Sequence, residues 1–256
     1  MAWMLLHSEH TERQITARRE EQRVLALTRP KVIETPSPGN RVQGIATVGS
    51  AATAIPAPLP DPAYRYVRLD DLSPWVIRAV LTAEDGDFFF YGGVNWVTLA
   101  GAVERNLRTG EIALGASTIS MQLVKMLFLD QSRIISRKLQ EVFLVYLMEH
   151  EVPVSKDRIL ELYLNLAEFG PGVYGILDAS DYYFGKDPGE LTVGEATWLA
   201  SILPAPKTYH QYFKDRWISD AWFSRMGGLY DIMLERGRMT QQEYDAAIQV
   251  RPAFVP

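Results

Sequence analysis

The stretch Ser73-Pro74-Trp75-Val76-Ile77-Arg78-Ala79-Val80-Leu81-Thr82-Ala83-Glu84-Asp85-Gly86-Asp87-Phe88-Phe89-Phe90-Tyr91-Gly92-Gly93-Val94-Asn95 decides how the chain is read. Serine before proline marks a helix start, because the hydroxyl accepts from a free N–H and proline suits the first helical position. Trp75, Ile77, Val80 and Leu81 then serve as the apolar positions. The predicted helix delivers an acid, Glu84, at its C-terminal end, with Asp85 and Asp87 close by and the aromatic run Phe88 to Tyr91 next. Aromatic surface desolvates a carboxylate, and desolvation raises its pKa toward the range useful for proton transfer. Gly92 and Gly93 allow a sharp turn. Glu84 is the candidate general base, with Asp85 a supporting neighbour and Asp87 a solvated one.

Outward from this stretch the signals stay helical. Asn95 is placed to cap Trp96 to Leu107, and Ser117 to cap Thr118 to Leu129. A long helix is predicted from about Ser132 to His150, and Ser155 caps Lys156 to Asn165. Gly170-Pro171-Gly172 reads as a loop and Val173 to Phe184 as a helix stopped by Gly185. Thr192 with Glu195 forms a capping box that opens a helix to Leu203, ended by Pro204 and Pro206. Ala221 to Glu235 and Thr240 to Val250 form a last pair. Nothing after residue 65 alternates like a strand, so residues 65–256 read as one mainly α domain. Before it, residues 1–29 read as a charged helix or stalk. Residues 30–64 read as a Pro/Ala-rich linker or arm, with Val42 to Val48 as a candidate strand.

The 256 residues suffice for a sizeable core. A net charge of −5 argues against a nucleic-acid partner. The absence of cysteine removes thiolate nucleophiles, disulfides and cysteine-ligated zinc together. The four histidines are too scattered to form a metal site. No run reaches the roughly 18 apolar residues of a membrane-spanning helix, so no anchor is visible in this chain.

Two further patterns carry chemistry. In the helix from Ser132, Arg133, Arg137 and Glu141 share one face, with Lys138 beside it. They read either as surface salt bridges or as one wall of a cleft. The apolar continuation Val142 to Met148 favours burial of that helix. In the helix from Thr118, Gln122 and Lys125 share a face with Thr118. Its start, with the hydroxyls of Ser117 and Thr118, could hold an anion, or the helix is simply capped. Two acids alone point to glycoside chemistry. The added cations point to a substrate whose leaving group is a phosphate.

These residues also resemble a known family. Glu84-Asp85-x-x-Phe88, then Gly115-Ala116-Ser117-Thr118-Ile119-Ser120-Met121-Gln122 with Lys125, then Arg137-Lys138-x-x-Glu141, are similar to the first three motifs of the peptidoglycan glycosyltransferases (glycosyltransferase family 51). Lys156-x-x-Ile159-Leu160-Glu161-x-Tyr163-Leu164-Asn165 resembles the fourth, and Tyr183-Phe184-Gly185-Lys186 with Leu191-Thr192 and Glu195-Ala196 the block after it. Tyr163 to Gly170 is most similar to the monofunctional biosynthetic transglycosylases. The resemblance implies a lysozyme-like α fold with a small membrane-contacting subdomain, acting at the outer, periplasmic face of the cytoplasmic membrane. It implies polymerisation of lipid II into glycan strands, with undecaprenyl pyrophosphate released. Its partners would be lipid II, the growing lipid-linked strand, the membrane surface and other cell-wall synthesis proteins.

The same resemblance assigns two catalytic carboxylates. Glu84 is the base toward the acceptor hydroxyl. Glu141 orients the pyrophosphate region, with a divalent cation (Mg or Mn) as in some members. Lys125, Arg133, Arg137 and Lys138 hold the pyrophosphate, while Asp85, Phe88, Ser117, Thr118 and Gln122 complete the substrate site. Phe88 to Tyr91 and Met126 to Leu129 would touch lipid. The sequence departs from the family pattern at Tyr91 (usually His), Asn95 (Asp), Met121 (Gln) and Met126 (Asn). A lysozyme-like hydrolase or lytic transglycosylase would share the fold and one glutamate but has no use for the four cations. A catalytically weak lipid II-binding scaffold is the reading the departures keep open.

Overall fold

The computed structural model describes residues 65–109, 117–129, 135–151 and 154–255. In it the Ser73-Pro74 start opens helix α1 (Pro74–Glu84), with the Ser73 hydroxyl accepting from Trp75 N–H. The same hydroxyl donates to Leu191 O at 2.7 Å, which ties the start of α1 to the start of a later helix. Val76, Ile77, Ala79, Val80 and Leu81 are all buried, so α1 is a core helix whose last residue is an acid.

Asn95 caps α2 (Trp96–Thr109), its side-chain oxygen accepting from Thr98 N–H at 3.0 Å. The helix after it, α3 (Ile119–Phe128), is capped by Thr118 rather than by Ser117. Next come α4 (Ile135–Tyr146), which closes in a π turn over Leu147–Glu151, and α5 (Lys156–Leu166), capped by Ser155. The tail of the predicted Ser132–His150 helix is therefore widened, and its first residues lie outside those described.

A short antiparallel ribbon follows, where a loop and a helix start were expected. β1 (Glu168–Gly170) pairs with β2 (Val173–Tyr174). Pro171 and Gly172 turn it: proline suits the first central position, and glycine the second, where φ is +76°. Helix α6 (Ile176–Phe184) begins only after Gly175, whose φ is +82° and where a Cβ would meet Asn165 O at 2.6 Å.

Helix α7 (Val193–Ile202) has the predicted Thr192/Glu195 capping box and is buried on every face from Glu195 to Ile202. Pro206, expected only to terminate it, stands at the first position of an unexpected helix α8 (Pro206–Lys214). The chain closes with α9 (Asp220–Glu235) and α10 (Gln241–Ala247), the second opened by the expected Thr240 box.

α7 is the centre of the main core. α1 packs along it, and the rings of Tyr183, Phe184 and Phe254 pack on Trp198, which is fully buried. Each such buried side chain contributes about 1.5–3 kcal/mol. A second, smaller core joins Val94, Met121, Val124 and Val145, with Leu99 and Val142 against it. It belongs to α2, α3 and α4. Trp96, Val97, Leu139, Phe143 and Tyr146 stand exposed on this part of the molecule. The fold is mainly α, with a large helical body and a small apolar-faced unit beside it. The expected stalk, arm and Val42–Val48 strand lie outside the described residues.

Candidate active site

Helix α1 ends at Glu84, and the Asp85 N–H donates to Leu81 O at 3.0 Å as the chain leaves the helix. Glu84 Oε2 accepts from Gln122 Nε2 at 2.8 Å. The Gln122 oxygen accepts in turn from the Tyr163 hydroxyl at 3.3 Å, which fixes the amide so that its nitrogen faces the acid. Glu84 Oε1 is buried and has no hydrogen-bond partner among the described residues. Burial raises the Glu84 pKa, and the Asp85 charge adds to that. The Gln122 hydrogen bond and the charges of Arg225 and Lys125 oppose it. One oxygen is thus held and the other left with a free lone pair, which is the condition of a base.

Asp85 is used differently. Its Oδ2 accepts from Ile119 N–H at 3.0 Å and from the Tyr91 hydroxyl. Burial raises its pKa, while those hydrogen bonds and the Lys156 charge oppose the rise. Of the two readings of the α3 start, an anion site or a simple cap, the structure shows one N–H already taken by the Asp85 carboxylate. The Thr118 hydroxyl is also engaged: it donates to Gly93 O at 2.8 Å and accepts from Met121 N–H at 3.1 Å. Thr118 is 3 % exposed and holds the Gly93 turn instead of offering a free donor.

Other expected positions divide. Phe88 is 1 % exposed and belongs to the main core, so it supports the turn and does not line the cleft. Phe89 is likewise buried, whereas Met126 and Phe128 are exposed. Asp87 is exposed, as expected, yet pairs with Arg236 at 2.7 Å. Lys138 Nζ donates to Ser117 Oγ at 3.0 Å and to Glu141 Oε2 at 2.7 Å. Glu141 is 3 % exposed, so its carboxylate anchors Lys138 from below. Lys125 is exposed on α3, three residues beyond Gln122. Arg133 lies outside the described residues, as does the side chain of Arg137, whose backbone belongs to α4.

A cleft of about 160 Å³ opens beside the two acids, lined by Glu84, Asp85, Tyr91, Asn95, Ser117 and Thr118 among others. The described residues do not fit a divalent cation. Glu141 is already paired with Lys138, and no group of three or more His, Asp or Glu gathers among those residues.

Two departures from the family pattern have a local explanation. Tyr91 still supplies a donor to Asp85. Met121 is fully buried in the small core, away from the cleft, where an apolar side chain is at home.

Two residues of the fourth motif, given no role from sequence, and two arginines outside every motif also reach this region. Lys156 Nζ lies 4.3 Å from the Phe88 ring centre and 5.0 Å from that of Tyr91, and pairs with Glu149 at 3.1 Å. Lys156 and Tyr163 are seven apart on α5, a helical spacing that puts them on one face. Arg236 and Arg238 both reach the turn after Glu84. No local pattern announces the two arginines, whereas the fourth motif already contains Lys156 and Tyr163.

Comparison with known proteins gives this geometry a family. The chain is 41% identical over 153 residues to a biosynthetic peptidoglycan transglycosylase of Acinetobacter baumannii, covering 60% of this chain and 67% of that protein. It is 42% identical over 142 residues to one from Rhizobium etli, covering 56% and 60%. It is 36% identical over 183 residues to penicillin-binding protein 1A of Aquifex aeolicus, covering 72% of this chain and 24% of that protein. Residues 56–226 match the transglycosylase family model, and the chain belongs to that family.

Proposed function

We propose that this chain polymerises lipid II into peptidoglycan glycan strands by inverting β-1,4 glycosyl transfer. The observation that carries the proposal is the state of Glu84, a residue of the cleft wall: Oε2 is held by Gln122 and Oε1 is buried without a partner. In the reaction Oε1 takes the proton of the acceptor 4-hydroxyl. The freed oxygen attacks the anomeric carbon of the lipid-linked donor from the opposite face, and the bond to the pyrophosphate oxygen breaks. Undecaprenyl pyrophosphate leaves with its own negative charge, so the site needs cations there more than it needs an acid. Lys125 and Lys138 supply them, with Arg133 and Arg137 as further cations, and Glu141 keeps Lys138 in place. A carboxylate raised by burial is a better base near neutral pH than an exposed one.

The described residues contain no helix long and apolar enough to cross a membrane. The exposed apolar face of α2 and α4 supports contact with the membrane surface. An apolar groove of about 300 Å³ between Val94, Trp96, Leu139 and Phe143 suits the polyprenyl tail. The work would take place at the periplasmic face of the cytoplasmic membrane, where other cell-wall synthesis proteins could dock. Residues 65–256 form the catalytic domain in this reading.

Labelled lipid II in detergent tests the proposal. Long strands should form, and Glu84→Gln should abolish them. Strands formed equally by Glu84→Gln would remove the base assignment. Cleavage of finished glycan would make the protein a hydrolase. Tight binding of the phosphoglycolipid moenomycin without polymerisation would make it a scaffold.

A further inference from the structure

The turn that carries Glu84 and Asp85 is held from far away in sequence. The Gly86 carbonyl accepts two guanidinium hydrogen bonds, from Arg236 Nη1 at 2.9 Å and from Arg238 Nη2 at 2.6 Å. Each arginine has a second hold on the same region. Arg236 Nη1 pairs with Asp87 Oδ1 at 2.7 Å, and Arg238 Nη1 donates to Thr82 Oγ1 at 2.9 Å on α1. Arg238 is 3 % exposed. A charge that deeply buried is costly unless it is paired or hydrogen-bonded.

The end of α9 explains how two arginines converge on one carbonyl. Arg236 is the C-cap and Gly237 takes φ +66°. Gly237 N–H donates to Leu234 O at 3.0 Å and Arg238 N–H to Met233 O at 2.7 Å. This is the Schellman arrangement, in which a left-handed glycine reverses the chain. The reversal swings Arg238 back beside Arg236, and both side chains point at Gly86. A Cβ on Gly86 would lie 3.0 Å from Arg236 Nη1, so glycine lets the guanidinium approach that closely. Both arginines lie beyond residue 226, where the family match ends.

We propose that Arg236 and Arg238 are positioning residues for glycosyl transfer, clamping the Gly86 carbonyl so that the turn presents Glu84 to the acceptor sugar. The proposal rests on Glu84 being the base. Reaction geometry tolerates little looseness: a displacement of about 1 Å can cost on the order of 100-fold in rate. The clamp acts on the acceptor end of the cleft and touches none of the residues assigned to the pyrophosphate. Its loss should therefore fall on kcat and leave donor binding alone. A looser turn also admits water to the Glu84 carboxylate. That group faces Asp85 on its own turn, Lys125 and Gln122 from α3, Tyr163 from α5 and Arg225 from α9.

The test uses the full chain, with Arg236→Ala/Arg238→Ala and Arg236→Lys/Arg238→Lys double variants. Strand synthesis from lipid II is followed across pH, with amide hydrogen exchange of residues 85–94 measured separately. The alanine pair should lower kcat about 10- to 100-fold with KM within about twofold. The acid limb of its pH profile should move to lower pH, and exchange over 85–94 should quicken. The lysine pair keeps donors for the carbonyl and should recover most of the rate. Unchanged kcat, or a loss that only tracks the unfolded fraction with no change in the pH profile, overturns the proposal. If the natural protein itself makes no strands, it is the glycosyl-transfer reading that fails. The exchange comparison still decides the clamp, since unaltered exchange in the alanine pair means there is none.

Discussion

In the proposed reading, the acceptor and donor ends of the site are built on different principles. At the proposed acceptor end, Glu84 and Asp85 sit at the tip of a core helix and are tied by hydrogen bonds from α3, one of whose donors, Gln122, is itself held by Tyr163 of α5. At the proposed donor end, Lys125 is exposed on α3, a helix that also enters the main core through Ile119 and Leu123, and Lys138 is half-exposed on α4. The difference follows from what each end must do. A base gains proton affinity by losing water, which requires burial and a fixed orientation. A cation meeting a large, mobile pyrophosphate needs reach, and gains nothing from being buried first.

The comparison predicts that the buried end fails most severely. Glu84→Gln keeps the shape and the Gln122 contact but removes the proton acceptor. Strand synthesis should fall by about 10²–10⁴-fold, with KM for lipid II little changed. Radiolabelled product on a gel measures this. Loss of activity through KM alone would mean that Glu84 binds substrate and takes no proton.

Lys125→Ala probes the exposed end. Stability should stay within about 0.5 kcal/mol, because the side chain is exposed on a helix surface. KM for lipid II should rise by about 10- to 100-fold, in line with the loss of one charge-assisted contact of roughly 1.5–3 kcal/mol. Added salt should narrow the gap between variant and natural enzyme, since exposed charges are screened. A defect in kcat that salt does not alter would place Lys125 at the acceptor end.

How much of this was legible depends on distance along the chain. Glu84 at a helix end follows from Ser73-Pro74 and the apolar positions between, all within a dozen residues. The capping boxes at Thr192 and Thr240 are equally local, and both helices open where they predict. The partner of Glu84 is 38 residues away, and its own partner 41 residues further. No periodicity reports such a meeting. The start of α3 stays ambiguous in sequence for the same reason: the local pattern shows free N–H groups but not that Asp85, 34 residues earlier, takes one. Phe88 misled by proximity to the acid, although an aromatic beside a catalytic group serves equally well as the wall that desolvates it. The β1–β2 ribbon is too short to show alternation.

Tyr163→Phe tests whether the buried end depends on orientation as well as burial. The hydroxyl is the group that tells the Gln122 amide which way to face. Without it the amide can rotate and turn its oxygen toward Glu84, which repels the carboxylate. A several-fold loss of kcat is expected, with roughly 1 kcal/mol lost in stability from one hydrogen bond. Denaturant titration separates the two effects. Gln122→Glu should resemble a stronger version, because it sets a second acid against the first.

The smallest expected effect is on stability against pH, and it tests burial directly. The folded protein holds the Glu84 pKa above its ordinary value of 4.5, with desolvation as the main cause. A raised carboxylate binds its proton more tightly in the native state than in the unfolded one. Stability from this group is therefore present below the unfolded pKa and declines as pH rises through the window up to the folded value. Glu84→Gln has no such proton. The stability of the natural protein relative to the variant should fall as pH climbs from about 4 toward neutrality, the range above an ordinary carboxylate pKa. Asp85 titrates in both proteins and largely cancels from the difference. A flat difference would mean that water reaches Glu84 freely, and the contrast between a dry base and wet cations would be lost.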